Sequence, residues 1–151
     1  MADAVTTRIL VDTPTQTIVH LTCISDGTGE TAVIKADKST LVFCPGIITA
    51  GVRAAPAEAA SLDVEAVRWN VQGFTSVRFL WDHTTDDVAL ALSGGGYDDF
   101  VGPGGERGRS IIPTLSDPRS AGGAGDILLT SVGAVSGATY DLTLWLRKSA
   151  A

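Results

Sequence analysis

The sequence predicts an all-β fold: a single antiparallel β-sandwich or barrel with long Gly-rich loops. Three observations predict it. Apolar residues recur with period two in run after run, and no stretch holds a convincing helical spacing. Turn-forming clusters such as Asp26-Gly27 and Gln72-Gly73 separate the runs. The third is a hairpin at residues 76–92, around which the chain is organised. Val77, Phe79 and Trp81 share one face of its first run, Val88, Leu90 and Leu92 share one face of its second, and the polar stretch Asp82-His-Thr-Thr-Asp-Asp87 joins them.

Taken in order, residues 5–11 form an apolar, Thr-rich strand closed by Pro14. Residues 15–24 follow, with Thr17, Val19, Leu21 and Cys23 on one face and Ile18, His20, Thr22 and Ile24 on the other. Apolar residues on both faces predict a strand covered on both sides. Ser25-Asp-Gly-Thr-Gly-Glu30 reads as a tight turn, and residues 32–42 as strand interrupted by a polar run at 35–40, for which a second turn is the alternative. Residues 43–56 are less regular, and the Ala-rich 57–60 suits at most one helical turn. In residues 62–71 the apolar phase flips: Leu62, Val64 and Ala66 keep one phase, Val67, Trp69 and Val71 the other. Either a β-bulge or a strand buried on both faces at its centre produces that pattern. Residues 93–121 read as an irregular Gly-rich arm, with 97–101 and 110–113 as short strand candidates. Regular structure returns at 126–132 and at 139–148. There Tyr140, Leu142, Leu144 and Leu146 alternate with Thr139, Asp141, Thr143, Trp145 and Arg147. Phe79, Trp81, Leu90, Leu142 and Leu144 are the expected core scaffold.

The chain's 151 residues suit one domain spanning 1–151, large enough to build a core without metal or disulfide staples. A net charge of −6 argues against nucleic acid, whose binding needs a basic stripe. The first residues lack the basic and apolar regions of a secretory signal, and no apolar run approaches the ~20 residues of a membrane helix. A soluble protein made in the cytosol, with no membrane partner, is the expectation. Cys23 and Cys44 lack metal-site spacing and read as buried, reduced thiols.

Nothing in the chain forms a catalytic or metal-binding constellation, and no cofactor is implied. The Gly-rich segments lack the phosphate-loop pattern, and Gly122-Gly-Ala-Gly-Asp126 occurs once, without the repeat of a calcium nonapeptide. Asp82, Asp86, Asp87, Asp98 and Asp99 read as solvated turn carboxylates that also discourage edge pairing. His20 lies in an apolar strand and is expected in the core; His83 lies in the turn and is expected at the surface. Arg107, Arg109 and Arg119, with Tyr97 and Phe100, give the arm the composition of an interface anchor; a solvated linker is the alternative.

Four stretches together resemble a family of small virion structural proteins of tailed bacteriophages of marine and cyanobacterial type. They are Ile24-Ser-Asp-Gly-Thr-Gly-Glu30, Val77-Arg-Phe-Leu-Trp-Asp82 with the following Thr-Thr-Asp-Asp-Val88, Gly123-Ala-Gly-Asp-Ile-Leu-Leu-Thr130, and Ser136-Gly-Ala-Thr-Tyr-Asp-Leu-Thr-Leu-Trp-Leu-Arg-Lys148. The opening Met1-Ala-Asp-Ala-Val is similar too. The resemblance spans roughly half the chain and leaves out 43–60 and most of 93–121. It implies a jelly-roll-like β-sandwich in the virion, a cement or decoration protein on the outer head that bridges major capsid protein subunits, often as a homotrimer. The alternative within the class is a tail, head–tail joining or head-fibre protein with a host-surface or glycan-binding role. An enzyme would need two carboxylates facing each other across a cleft, whereas the acidic residues here fall mainly in turns.

Overall fold

A computed structural model describes residues 2–43, 48–49, 51–53, 58–100, 115–119 and 121–149. Its strands are β1 (Ala4–Asp12), β2 (Gln16–Asp26), β3 (Val33–Ala36), β4 (Ile48–Thr49), β5 (Val52–Arg53), β6 (Ser61–Gln72), β7 (Ser76–Trp81), β8 (Asp87–Leu92), β9 (Gly94–Asp99), β10 (Ile127–Val132) and β11 (Ser136–Ser149). Two antiparallel sheets pack face to face, in the orders β1-β2-β11-β6-β9 and β3-β10-β7-β8; β4 and β5 pair separately. The pairings are nested: β2 with β11, β3 with β10, β6 with β9, β7 with β8. A chain laid out as one long hairpin and then wound up makes those contacts, and β11·β6 and β10·β7 complete the sheets.

The inner faces supply the core. Leu21, Leu62, Val64, Val67, Val77, Phe79, Ile127, Leu129, Leu142, Leu144 and Leu146 are fully buried, and Trp81 is nearly so. Each such side chain contributes about 1.5–3 kcal/mol on leaving water. The Trp81 indole N–H also finds an acceptor, the Leu62 carbonyl at 3.1 Å, so its one polar atom is not stranded. Leu90 is half-buried and packs at the core's margin.

Bulges decide which side chains point inward. In β6, Trp145 faces Ala66 while Leu146 faces Val64, so Glu65 is the extra residue and the apolar phase flips there. Of the two sequence alternatives, the bulge is the one present. A second bulge, at Ala89, corrects the expected face of β8: Phe79 faces Leu90, but Leu80 faces Val88, and Val88 is turned out to solvent. A third, between Ile127 and Leu128, leaves Lys35 of β3 unpaired and buried.

One further expectation is corrected and two are refined. β2 buries only one face, through Thr17, Val19, Leu21 and Cys23; Ile24 on the other is exposed. Gly94–Asp99, expected within an irregular arm, is an edge strand paired with β6. Gly96 suits it, because the Trp69 ring lies against it at a distance no Cβ would tolerate. The polar run at 35–40 resolves into the end of β3 and a 3-10 turn, Lys38–Thr40, capped by Asp37, whose carboxylate accepts from the Ser39 N–H at 2.9 Å. Most of 43–57 and all of 101–114 lie outside the described residues.

Candidate docking edge

β1 stands at the end of the five-stranded sheet, one strand beyond β2, and the facing sheet ends at β3. Val5, Thr7 and Ile9 take the inward phase, opposite Cys23, Leu21 and Val19 of β2. In a closed sandwich those positions would be covered. Here every residue of β1 before Asp12 is exposed, with Ile9 at 52%. A cleft of about 160 Å³ opens beneath the overhang, lined by Thr7 and Ile9 of β1, Val19 of β2, Ile34 of β3 and Leu41. Among the described residues, seven of the eleven exposed large apolar residues lie on β1, on β3 or just after the 3-10 turn: Val5, Ile9, Leu10, Val11, Val33, Ile34 and Val42. β1 carries its own bulge at Leu10, so Val11 falls opposite Ile18 on the outer face.

The overhang is built rigidly. The Lys148 ammonium, at the end of β11, is buried and donates to the Asp12 carboxylate and to the carbonyls of Thr13 (2.7 Å) and Val42. Asp12 in turn accepts from the Val42 N–H at 3.0 Å. One cation thus ties the end of β1, the segment after the 3-10 turn and the last strand together. Its charge is balanced and its three protons are used, which is what a buried ammonium requires.

A second buried polar group lies behind the cleft. The Lys35 ammonium and the Tyr140 hydroxyl both donate to Glu30, whose own N–H donates to the Ser131 hydroxyl at 2.8 Å. Burial, with Glu30 beside it, pushes the Tyr140 phenol well above its ordinary range. Cys23 has a free thiol, pushed up to about 11 by burial first and then by Glu30 and Asp3. A thiol with so little thiolate at neutral pH is a packing residue, not a nucleophile. Cys44 lies outside the described residues.

The two histidines exchange their expected places. His83 is buried, with Nδ1 2.8 Å from Asp87 and Nε2 2.8 Å from Asp117. Its turn is not simply solvated, since Asp86 also accepts from the His83 N–H at 3.3 Å. Gly123 packs against the imidazole so closely that a Cβ would fall 2.2 Å from Cδ2. His20 is half-exposed on the outer face of the five-stranded sheet, 3.0 Å from Asp141.

Three of the five expected interface residues, Tyr97, Phe100 and Arg119, are among the described residues. Tyr97 is exposed on β9 and meets the Trp145 ring edge-on, with centroids 6.1 Å apart. Phe100 packs against the core, and its N–H donates to the Glu65 carbonyl at 2.8 Å. Arg119 is backed by its own turn: its N–H donates to Asp117 at 2.7 Å, and its guanidinium lies 3.5 Å from the Ser61 hydroxyl. Arg107 and Arg109 lie outside the described residues. Phe100 and Leu115 are both held at the β6 bulge, Phe100 on Glu65 and Leu115 through a two-bond bridge with Val64. From sequence, the N-terminal strand ranks behind the 93–121 arm as the segment that reaches the shell or a sister subunit. Its one signal was apolar residues in both phases of residues 5–11, a pattern that a buried strand also produces.

No family model, curated protein or solved structure matches the chain. The reading of function therefore rests on the chain's own geometry and on the resemblance of its motifs.

Proposed function

We propose that the chain is a non-enzymatic structural protein of a viral particle, a cement or decoration protein that binds the outer surface of a tailed-phage head and bridges major capsid protein subunits. The observation that carries this reading is the uncovered inner face of β1. An exposed, apolar edge strand is an aggregation liability in a protein that works alone. It is an asset in one that works by docking, since a partner strand can add to the sheet edge while its side chains fill the cleft. The partner we assign to the edge is the major capsid protein. Self-association as a homotrimer places several such edges on one lattice axis, where multivalency converts modest single contacts into tight retention.

Two further features support the reading. The nested strand pairing suits a jelly roll, an architecture that includes viral capsid and lectin domains, although fold alone does not set function. The stretches that carry the phage resemblance fall on β7, β10, β11 and the turn after β2, which are scaffold positions. Likeness in the scaffold is what a family of structural proteins with divergent contact loops would retain. The protein would assemble in the host cytoplasm and reside on the capsid surface.

Quantitative mass spectrometry of purified virions tests this placement. Hundreds of copies, on the order of the major capsid protein, are expected. A handful of copies, or a small multiple of six, would instead place the protein in the tail, the head–tail joint or a fibre.

A further inference from the structure

We propose that the outer face of the five-stranded sheet is a binding site for a neutral carbohydrate, separate from the β1 edge and independent of the capsid assignment. Strand register sets its layout. Thr143 of β11 faces His20 of β2 on one side and Arg68 of β6 on the other, and Arg68 faces Tyr97 of β9. Asp141 lies two residues from Thr143 on the same face, opposite Asn70, and Trp145 lies two residues the other way.

At one end, Asp141 Oδ1 is 3.0 Å from His20 Nε2 and 3.7 Å from Arg68 Nη2. Arg68 and Asp141 stay half-exposed, so each keeps bonding capacity for a ligand. A groove of about 290 Å³ runs here, lined by Arg68, Trp69, Asn70 and Asp141. At the other end the Tyr97 and Trp145 rings meet edge to face, with Tyr97 58% exposed. Asp141 and Trp145 lie four positions apart along the strand, about 13 Å.

The chemistry of the face selects the ligand class. Hydroxyl-rich rings need planar donor and acceptor groups held in place, and an aromatic surface for their C–H faces; both are present along one strand. Charge is nearly balanced, with Arg68 set against Asp141, in a chain of net charge −6. That disfavours phosphates and polyanions. A protein partner is disfavoured by the charged pair at the centre, because the middle of a protein interface is depleted of charge.

Affinity electrophoresis of the full chain tests the proposal, through gels containing laminarin, dextran, yeast mannan or galactomannan, with alginate as the acidic comparison. Retardation by at least one neutral polysaccharide is expected. Trp145→Ala and Arg68→Ala should each weaken it about tenfold, the scale of a lost interface anchor. Arg68→Ala alters only an exposed side chain, so it reports on binding even if Trp145→Ala fails to fold. Ile9→Asp, on the β1 edge, should leave retardation unchanged. No retardation by any neutral polysaccharide overturns the proposal. So does retardation by alginate alone, or retardation that survives both substitutions. Loss of capsid binding in Arg68→Ala without any glycan retardation would reassign this face to a protein partner.

Discussion

At the residue scale, burial and partner supply separate side chains that look alike in sequence. Trp69, Trp81 and Trp145 all lie in period-two strands, yet only Trp81 is in the core. Trp81→Ala should cost about 3–5 kcal/mol in urea unfolding, because it removes a large buried ring and strands the Leu62 carbonyl. A loss under about 1 kcal/mol would mean the site collapses around the gap. Asp126 makes a pH prediction. Burial raises its carboxyl above the ordinary value against the pull of the Lys38 N–H, which it accepts at 2.9 Å; Asp37 and Asp82 push the same way as burial. The native state therefore holds this proton more tightly than the unfolded chain does. Its contribution is full below the unfolded carboxylate pKa and is lost as pH rises through the raised native value. Asp126→Asn keeps the acceptor for Lys38 and removes the charge. It should be more stable than wild type at pH 7, with the difference closing as pH falls below about 4. A difference constant across that range would show that the carboxylate carries no burial penalty. The histidines mark the limit of sequence reading at this scale. Their environments are set by Asp117 and Asp141, which the fold brings from distant parts of the chain.

At the element scale, period-two alternation located the strands well, and the hairpin of β7 and β8 and the long β11 stand where it put them. Alternation fails where a bulge intervenes. The flip in β6 was visible because apolar residues lie on both sides of Glu65. The bulge at Ala89 was not, because Val88, Leu90 and Leu92 keep one phase in sequence while the backbone between them does not. The start of β9 was missed for a related reason, although 97–101 read as a short strand: Gly94, Gly95 and Gly96 carry no side chains from which a period can be read, and it is the Trp69 ring that requires a glycine at 96. The β6 bulge also holds Phe100 and Leu115. Deleting Glu65 should restore a regular ladder to β11 with Val64 still opposite Leu146 and Leu62 still opposite Lys148, so the core face is kept. The expected loss is about 1–3 kcal/mol in chemical denaturation, from the Glu65 carbonyl that accepts the Phe100 N–H and the Glu65 carboxylate that accepts from Gln16. A loss above about 4 kcal/mol would show that the ladder does not close in this register and that core side chains are displaced.

At the scale of the whole molecule, the sheets are unequal, five strands against four, and the surplus strand is apolar on the side that should be covered. Composition and alternation predict a sandwich but not the lateral offset of its sheets, so the overhang was not legible in the sequence. The reading of the chain as a docking protein rests on that overhang. It is tested most directly by the binding of purified protein to expanded empty heads, measured by co-sedimentation, for wild type, Ile9→Asp and Ile34→Asp. Both side chains are about half exposed, Ile9 at 52% and Ile34 at 50%, so the variants should keep the wild-type circular dichroism spectrum and melting temperature. Each should bind heads at least about tenfold more weakly, because a carboxylate in an apolar contact costs more than 1.4 kcal/mol. Folded variants that decorate heads as tightly as wild type would contradict the account.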